Sequence, residues 1–146
     1  MAVVADPSLG GAIRFSGATV VKPNRAEALA ALGLTVEDRK SAAGLAGLLR
    51  DLLGEGSVLV TDGQHGIGVS SSTGNHQEPG IRRDVSDVTG AGDAVAAVVG
   101  LSVGAGLELD MAVHLGNAAG AVAVSKWGTS SFTLSELDAV LVDDTV

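Results

Sequence analysis

A carboxylate, Asp93, stands at the end of the run "DVTGAGD" (Asp87 to Asp93), directly behind two glycines and ahead of small apolar residues. Glycines at 90 and 92 permit positive φ or a close backbone approach. A helix beginning near Ala91 would leave its first amides without acceptors and aim them outward, which makes an anion site. Asp93 would then sit in the first turn beside that site, where the helix dipole favours negative charge. Such a pairing suits phosphoryl transfer to an alcohol. The carboxylate accepts the hydroxyl proton while the amides stabilise charge on the moving phosphoryl. The same spacing also describes an ordinary helix start, with an acidic first-turn residue after a glycine loop.

Two further stretches carry polar groups at the ends of apolar runs. In "KPNRAE" (Lys22 to Glu27), Asn24 and Glu27 have the spacing of a capping box. The alternative is that Glu27 orders a metal-bound water near a triphosphate, with Asn24 close by. In "VTDGQHGIGV" (Val60 to Val69), Thr61 and Gly63 follow an apolar run. The C-terminal end of a parallel strand is where ligands sit in α/β sheets, although a plain hairpin loop would look the same. Thr133 and Glu136 share the cap spacing and read as a cap only. "NAAGAVAVSKWGTSS" (Asn117 to Ser131) is a small-residue helix ending in a polar glycine turn. Its small side chains suit either a flat adenine or close helix packing. His65, His76 and His114 are scattered, which argues against a histidine metal site. Trp127 is expected to cover an apolar edge.

Two common phosphate signatures are missing. No G-x-x-x-x-G-K-[ST] run occurs. Gly90 to Val95 reads G-x-G-x-x-V, without the third glycine or alanine and without the preceding apolar strand of a dinucleotide fold.

The elements that must position these groups are short. Ala2–Asp6, Ala18–Val21 and Ser57–Thr61 read as buried strands, and "GIGVSS" with "NHQEP" as an antiparallel excursion. Asn24–Gly33 has a cap-like start and a terminal glycine, so it reads as a helix. In "VEDRKSAAGLAGLLRDLLG" (Val36 to Gly54), Ala42, Leu45, Leu48, Leu49, Leu52 and Leu53 recur at helical spacing toward a core. Gly90 to about Gly104, Leu109 to about Lys126, and Ser135 to Leu141 complete the helices. Strands alternating with helices imply an α/β fold with a parallel sheet under helical cover. The 146 residues fit one domain, 1–146.

Composition limits the partners. Nine Lys and Arg stand against 17 Asp and Glu, a formal charge of −8. That argues against nucleic acid, which needs a basic surface. Local backbone amides still allow a phosphate ligand. The absence of cysteine excludes disulfides and thiolate metal sites. The start "MAVVADPSLGG" does not read as a signal peptide. The apolar run Ala94–Val103 falls short of the ~18–20 residues of a membrane span. A soluble cytoplasmic protein is expected.

Taken in order, "DP", "KPNRAE", "VTDGQHG", "DVTGAGD" and "NAAGAVAVSKWGTS" resemble the second half of the ribokinase-like, or PfkB, carbohydrate kinases. The resemblance covers nearly the whole chain. Within that family, "GATVVKPNRAE", "DVTGAGD" and "KWGTSSFTLSEL" look most like the heptose-phosphate kinases of ADP-heptose synthesis.

The resemblance implies a three-layer α/β sandwich with a mainly parallel sheet, here its C-terminal portion. It implies ATP-dependent phosphorylation of a sugar or sugar-phosphate hydroxyl. The family's catalytic base falls on Asp93 and its anion hole on Gly90, Ala91 and Gly92. Its N-x-x-E pair, which orders magnesium through water, falls on Asn24 and Glu27. The nucleotide-phosphate loop falls on Thr61, Gly63 and Gly66, and the adenine-side helix on Asn117. A monovalent cation, potassium in many members, would fall near Asp87, Thr89 and Gly128. Family members carry a first half with most sugar-binding residues and a small β lid, none of which is seen here. The chain is therefore expected to self-associate or to require an N-terminal half. The competing reading is a non-catalytic nucleotide-binding or self-assembling module.

Overall fold

The computed structural model describes residues 1–8, 11–129 and 131–144. Its contacts divide the chain into two compact units, Met1–Pro79 and Gly80–Val146.

The first unit is built on a five-stranded sheet in the order β1-β2-β3-β4-β5. The strands are Val4–Ala5, Val20–Val21, Ser57–Thr61, Ile67–Ser71 and Gly74–Glu78. β1, β2 and β3 run parallel, with Val4 opposite Val20 and Val21 opposite Val58. β3, β4 and β5 run antiparallel, so the expected excursion is a true hairpin extension of the sheet. Val58, Leu59 and Val60 are all buried, as a continuous apolar strand should be.

Two helices complete this unit. α1 (Arg25–Leu32) starts at Asn24 and stops at Gly33, whose φ of 66° ends the helix in the left-handed region. α2 (Ala42–Leu53) packs on β3 and β4. Leu45, Ala46, Leu49 and Leu53 join Val21, Ala28, Leu29, Val58 and Val60 in the core. Gly68 of β4 lies directly under Ala42, and a side chain there would overlap the α2 backbone.

Two expectations for this region need correction. The stretch from Val36 is not one helix. A 3-10 turn spans Val36–Asp38, held by Asp38 accepting from the Thr35 amide at 2.7 Å. Arg39 then adopts φ 48°, and Ser41 caps a new helix by accepting from the Gly44 amide at 3.0 Å. Leu48 and Leu52 are exposed rather than in the core. At about 100° per residue, Leu48 sits about 100° round from the middle of the Leu45–Leu49–Leu53 stripe, and Leu52 sits at its border, about 60° from the middle, in the last turn.

The second unit contains three helices, α3 (Ala91–Gly104), α4 (Leu109–Val124) and α5 (Leu134–Asp144). α3 and α4 pack closely because α4 presents glycine at the contact. A Cβ on Gly116 would stand 2.7 Å from Val99 Cγ2, and one on Gly120 3.1 Å from Val95 Cγ2. Ala118, Ala119, Ala121 and Val122 then pack with Leu137 and Val140 of α5. No helix of the described residues is long and apolar enough to cross a membrane.

Candidate functional site

In the first unit, the polar candidates gather where β2 and β3 end. Val21 leads through Lys22 and Pro23 into Asn24, the cap of α1. Asn24 Oδ1 accepts from the Glu27 amide at 2.9 Å, and Glu27 Oε2 accepts from the Asn24 amide at 2.7 Å. The reciprocal capping box is therefore present, and it satisfies two donors the helix cannot. It uses one oxygen of Glu27 and leaves Oε1 for another donor. Asn24 also forms a bridge to Thr61, whose amide donates to Pro23 O at 3.1 Å. Asn24, Glu27 and Thr61 thus meet at one strand end.

The turn after β3 closes on itself. Asp62 donates its amide to Gly66 O at 2.9 Å, and Gly66 donates to Gly63 O at 3.1 Å. Gly63 and Gly66 have φ of 52° and 91°, which side-chain-bearing residues rarely adopt. The expected phosphate-loop residues Thr61, Gly63 and Gly66 therefore belong to one tight turn.

An ion pair here escaped the sequence reading. Lys22, with 2% of its side chain exposed, places Nζ 3.1 Å from Asp6 Oδ1. Both follow a strand, and the parallel register of β1 and β2 brings them together. The only sequence signal was the Asp-Pro and Lys-Pro pairs closing two apolar runs.

In the second unit, Gly90 precedes α3 with φ 81°, and a Cβ there would lie 3.3 Å from Thr129 Cγ2. Glycine is needed for both reasons. It offers no capping side chain, so the amides of Gly92 and Asp93 have no acceptor within the helix. The Ala91 amide points to Val88 O at 3.4 Å, a weak bond. Asp93 stands exposed in this first turn. The geometry is that of a helix start open to an anion, with a carboxylate beside it.

The residues expected around a monovalent cation also meet. Asp87 Oδ1 accepts from the Thr89 amide at 2.9 Å and from Thr89 Oγ1 at 2.7 Å. Asp87 Oδ2 accepts from the Gly128 amide at 3.1 Å. These bonds, Thr89 hydroxyl first, hold the Asp87 carboxyl below the usual aspartate range. Gly128, at φ 68°, shapes the turn that delivers its amide. Asn117 lies buried in α4. Trp127, expected over an apolar edge, is 79% exposed. Thr133 and Glu136 form the expected cap, with Glu136 accepting from the Thr133 amide at 2.7 Å. Glu136 also receives Lys126 Nζ at 2.7 Å. Ser130 of the quoted turn lies outside the described residues.

The family model "pfkB family carbohydrate kinase" matches residues 4–136. The chain belongs to the pfkB family of carbohydrate kinases. Among curated proteins it is 39% identical over 141 residues to the bifunctional protein HldE of Caulobacter vibrioides, covering 94% of this chain and 29% of that protein. It is 37% identical over 136 residues to the bifunctional protein HldE of Pelobacter propionicus, covering 92% and 28%. The chain thus spans under a third of the curated relatives it matches. Among solved structures it resembles a ribokinase from Thermotoga maritima with a TM-score of 0.83 at 23% identity, covering 97% of this chain and 49% of that one. It resembles phosphofructokinase-2 from Escherichia coli in complex with potassium with a TM-score of 0.85 at 20% identity, covering 99% and 48%. The fold is ribokinase-like. Its sheet mixes the parallel β1–β3 with an antiparallel β3–β5 extension.

Proposed function

We propose that this chain carries the nucleotide-binding and catalytic elements of a kinase that phosphorylates a sugar or sugar-phosphate hydroxyl. A heptose phosphate is the favoured substrate, because curated relatives 37% and 39% identical to the chain are bifunctional HldE proteins. The observation that carries the reading is the left-handed Gly90 opening α3, with Asp93 in the first turn.

The Asp93 carboxylate accepts the proton of the sugar hydroxyl as the oxygen bonds to the γ-phosphorus of ATP. The bond to the bridging oxygen breaks and ADP leaves. The turn Gly90, Ala91 and Gly92 faces the phosphoryl with backbone amides, which need no reorganisation as charge develops. Thr61, Gly63 and Gly66 receive nucleotide phosphates, and Asn117 belongs to the helix on the adenine side. Glu27 fits a magnesium role, since its capping bond leaves Oε1 for a metal-bound water. Asn24 holds that carboxylate in place. Magnesium, when bound, offsets the phosphate charge. Asp87, Thr89 and Gly128 fit the border of a potassium site. The Thr89 hydroxyl gives its proton to Asp87 and keeps its lone pairs for a cation.

A second reading is a nucleotide-binding module that self-associates without turnover. The tetrameric inhibited form of phosphofructokinase-2 from Escherichia coli, which shares this fold, favours it. Calorimetric titration of the purified chain with Mg-ATP, ADP and NAD tests both readings. ATP and ADP should bind and NAD should not. Binding of NAD without ATP would sink both.

A further inference from the structure

We infer that Arg25 is a positioning residue that locks the Asp62–Gly66 turn against the first turn of α1. Its effect on a nucleotide rests on the phosphate-binding reading above.

Arg25 is the first residue of α1, between Asn24 and Glu27. Its side chain takes no part in the capping box. Nη1 donates to Asp62 Oδ2 at 3.1 Å, and Nη2 donates to Lys40 O at 2.6 Å. One guanidinium therefore ties three separate segments: the start of α1, the turn after β3, and the connection entering α2. Both side chains of the ion pair are partly withdrawn from water, at 30% and 19% exposure. That distinguishes the contact from a surface pair of little consequence.

The contact falls at a critical junction. Pro23 O already receives the Thr61 amide, and Asn24 bridges Thr61. Arg25 to Asp62 is the next rung, and it reaches beyond the end of β3 into the turn. Beyond that rung the turn is held by its own three backbone bonds, from the amides of Asp62, His65 and Gly66 to the carbonyls of Gly66, Asp62 and Gly63, and by Gln77 Nε2 donating to His65 O at 3.0 Å. Glycines at both ends of the turn give it many alternative conformations. The Asp62 carboxylate anchors the turn to α1 through its side chain. The Asn24–Thr61 bridge fixes the end of β3 against the capping box, and Arg25 extends that hold to Asp62 and so narrows the distance from the Glu27 carboxylate to the amides of Gly63 and Gly66. A lysine would keep one ion pair as a point charge but could not fork to Asp62 and the Lys40 carbonyl together.

The test is amide hydrogen exchange by NMR on the whole chain, comparing wild type with Arg25→Gln, Arg25→Lys and Asp62→Asn. The reporters are the amides of Asp62 and Gly66, and the control is Leu59 in the core. In Arg25→Gln both reporters should exchange about tenfold faster, the scale of one lost charged hydrogen bond, with Leu59 unchanged. Arg25→Lys should recover part of the protection, and Asp62→Asn should reproduce the loss. Unchanged reporter exchange in Arg25→Gln would overturn the inference. If that variant unfolds, Asp62→Asn decides in the same way. Mg-ATP calorimetry on the same proteins supplies a separate readout. Affinity should fall about tenfold in Arg25→Gln at unchanged melting temperature and recover in part with lysine. A wild type that does not bind Mg-ATP would remove the nucleotide reading, while exchange would still decide whether Arg25 holds the turn.

Discussion

Replacing the Asp93 carboxylate with an amide separates a helix cap from a base. Asparagine keeps the size of the side chain at an exposed first-turn position. As a favourable charge on the helix dipole alone, the carboxylate would be missed by about 0.3–1 kcal/mol. As the base, it would be missed by about two to four orders of magnitude in phosphoryl transfer. We expect Asp93→Asn to fold, to bind nucleotide at least as well as wild type, and to lose transfer on that scale. Affinity should not suffer, because a negative charge near the γ-phosphate is gone. The assay is transfer from ATP to a heptose phosphate, in the chain joined to the part of the kinase its relatives carry and it does not span. Thermal unfolding is the control. Near-native turnover would reduce Asp93 to a cap.

Among the elements, what was legible depended on whether the signal was local. Asn24, Glu27 and Gly33 mark both ends of α1, because a cap is a contact within four residues. The Thr133 and Glu136 cap at the start of α5 was readable for the same reason. The break before α2 was not. It depends on Arg39 in a left-handed conformation that the residue type does not announce. Lys22 and Asp6 were quoted in the motifs, but their pairing needs the register of two strands. The small residues of α4 favoured packing over adenine without excluding it, and the fit of Gly116 to Val99 and of Gly120 to Val95 shows close packing there. The turns of the second unit carry a further prediction. Asp87 is held low by its bonds to the Thr89 hydroxyl and amide and to the Gly128 amide. Glu136 is held low by its bond to Lys126, then by the Thr133 amide. Both folded values lie below the ordinary 3.8 and 4.5. Each group therefore adds stability that is fully present above its ordinary value and lost as pH falls through its folded one. Unfolding midpoints should be flat with respect to these groups from neutral pH to about 5 and then decline. Asp87→Asn should be less stable at neutral pH and show a shallower acid decline. An acid profile identical to wild type would show that the Asp87 bonds add no net stability.

At the scale of the whole molecule, the two edges of the sheet differ, and that difference bears on association. β5 presents Asn75, His76, Gln77 and Glu78, polar residues of the kind that blunt an edge. β1 is apolar, with Val3 exposed at 43% beside Val4 and Ala5. The carbonyls of Val3 and Ala5 accept from Val20 and Lys22, so both turn toward β2. By strand alternation, the N–H and C=O of Val4 turn to the outer side. An apolar edge with open peptide groups is a template for another strand. We therefore expect the isolated chain to form a dimer or larger species by light scattering, joined through β1. Val4→Pro is the informative variant. Proline removes an N–H that the pairing with β2 does not use, and edge strands tolerate it. The variant should keep the unfolding midpoint of the monomer and lose the association. A wild-type chain that stays a well-folded monomer at high concentration would sink the prediction. A Val4→Pro chain that still associates would move the interface away from β1, to exposed apolar side chains such as Leu101 and Met111.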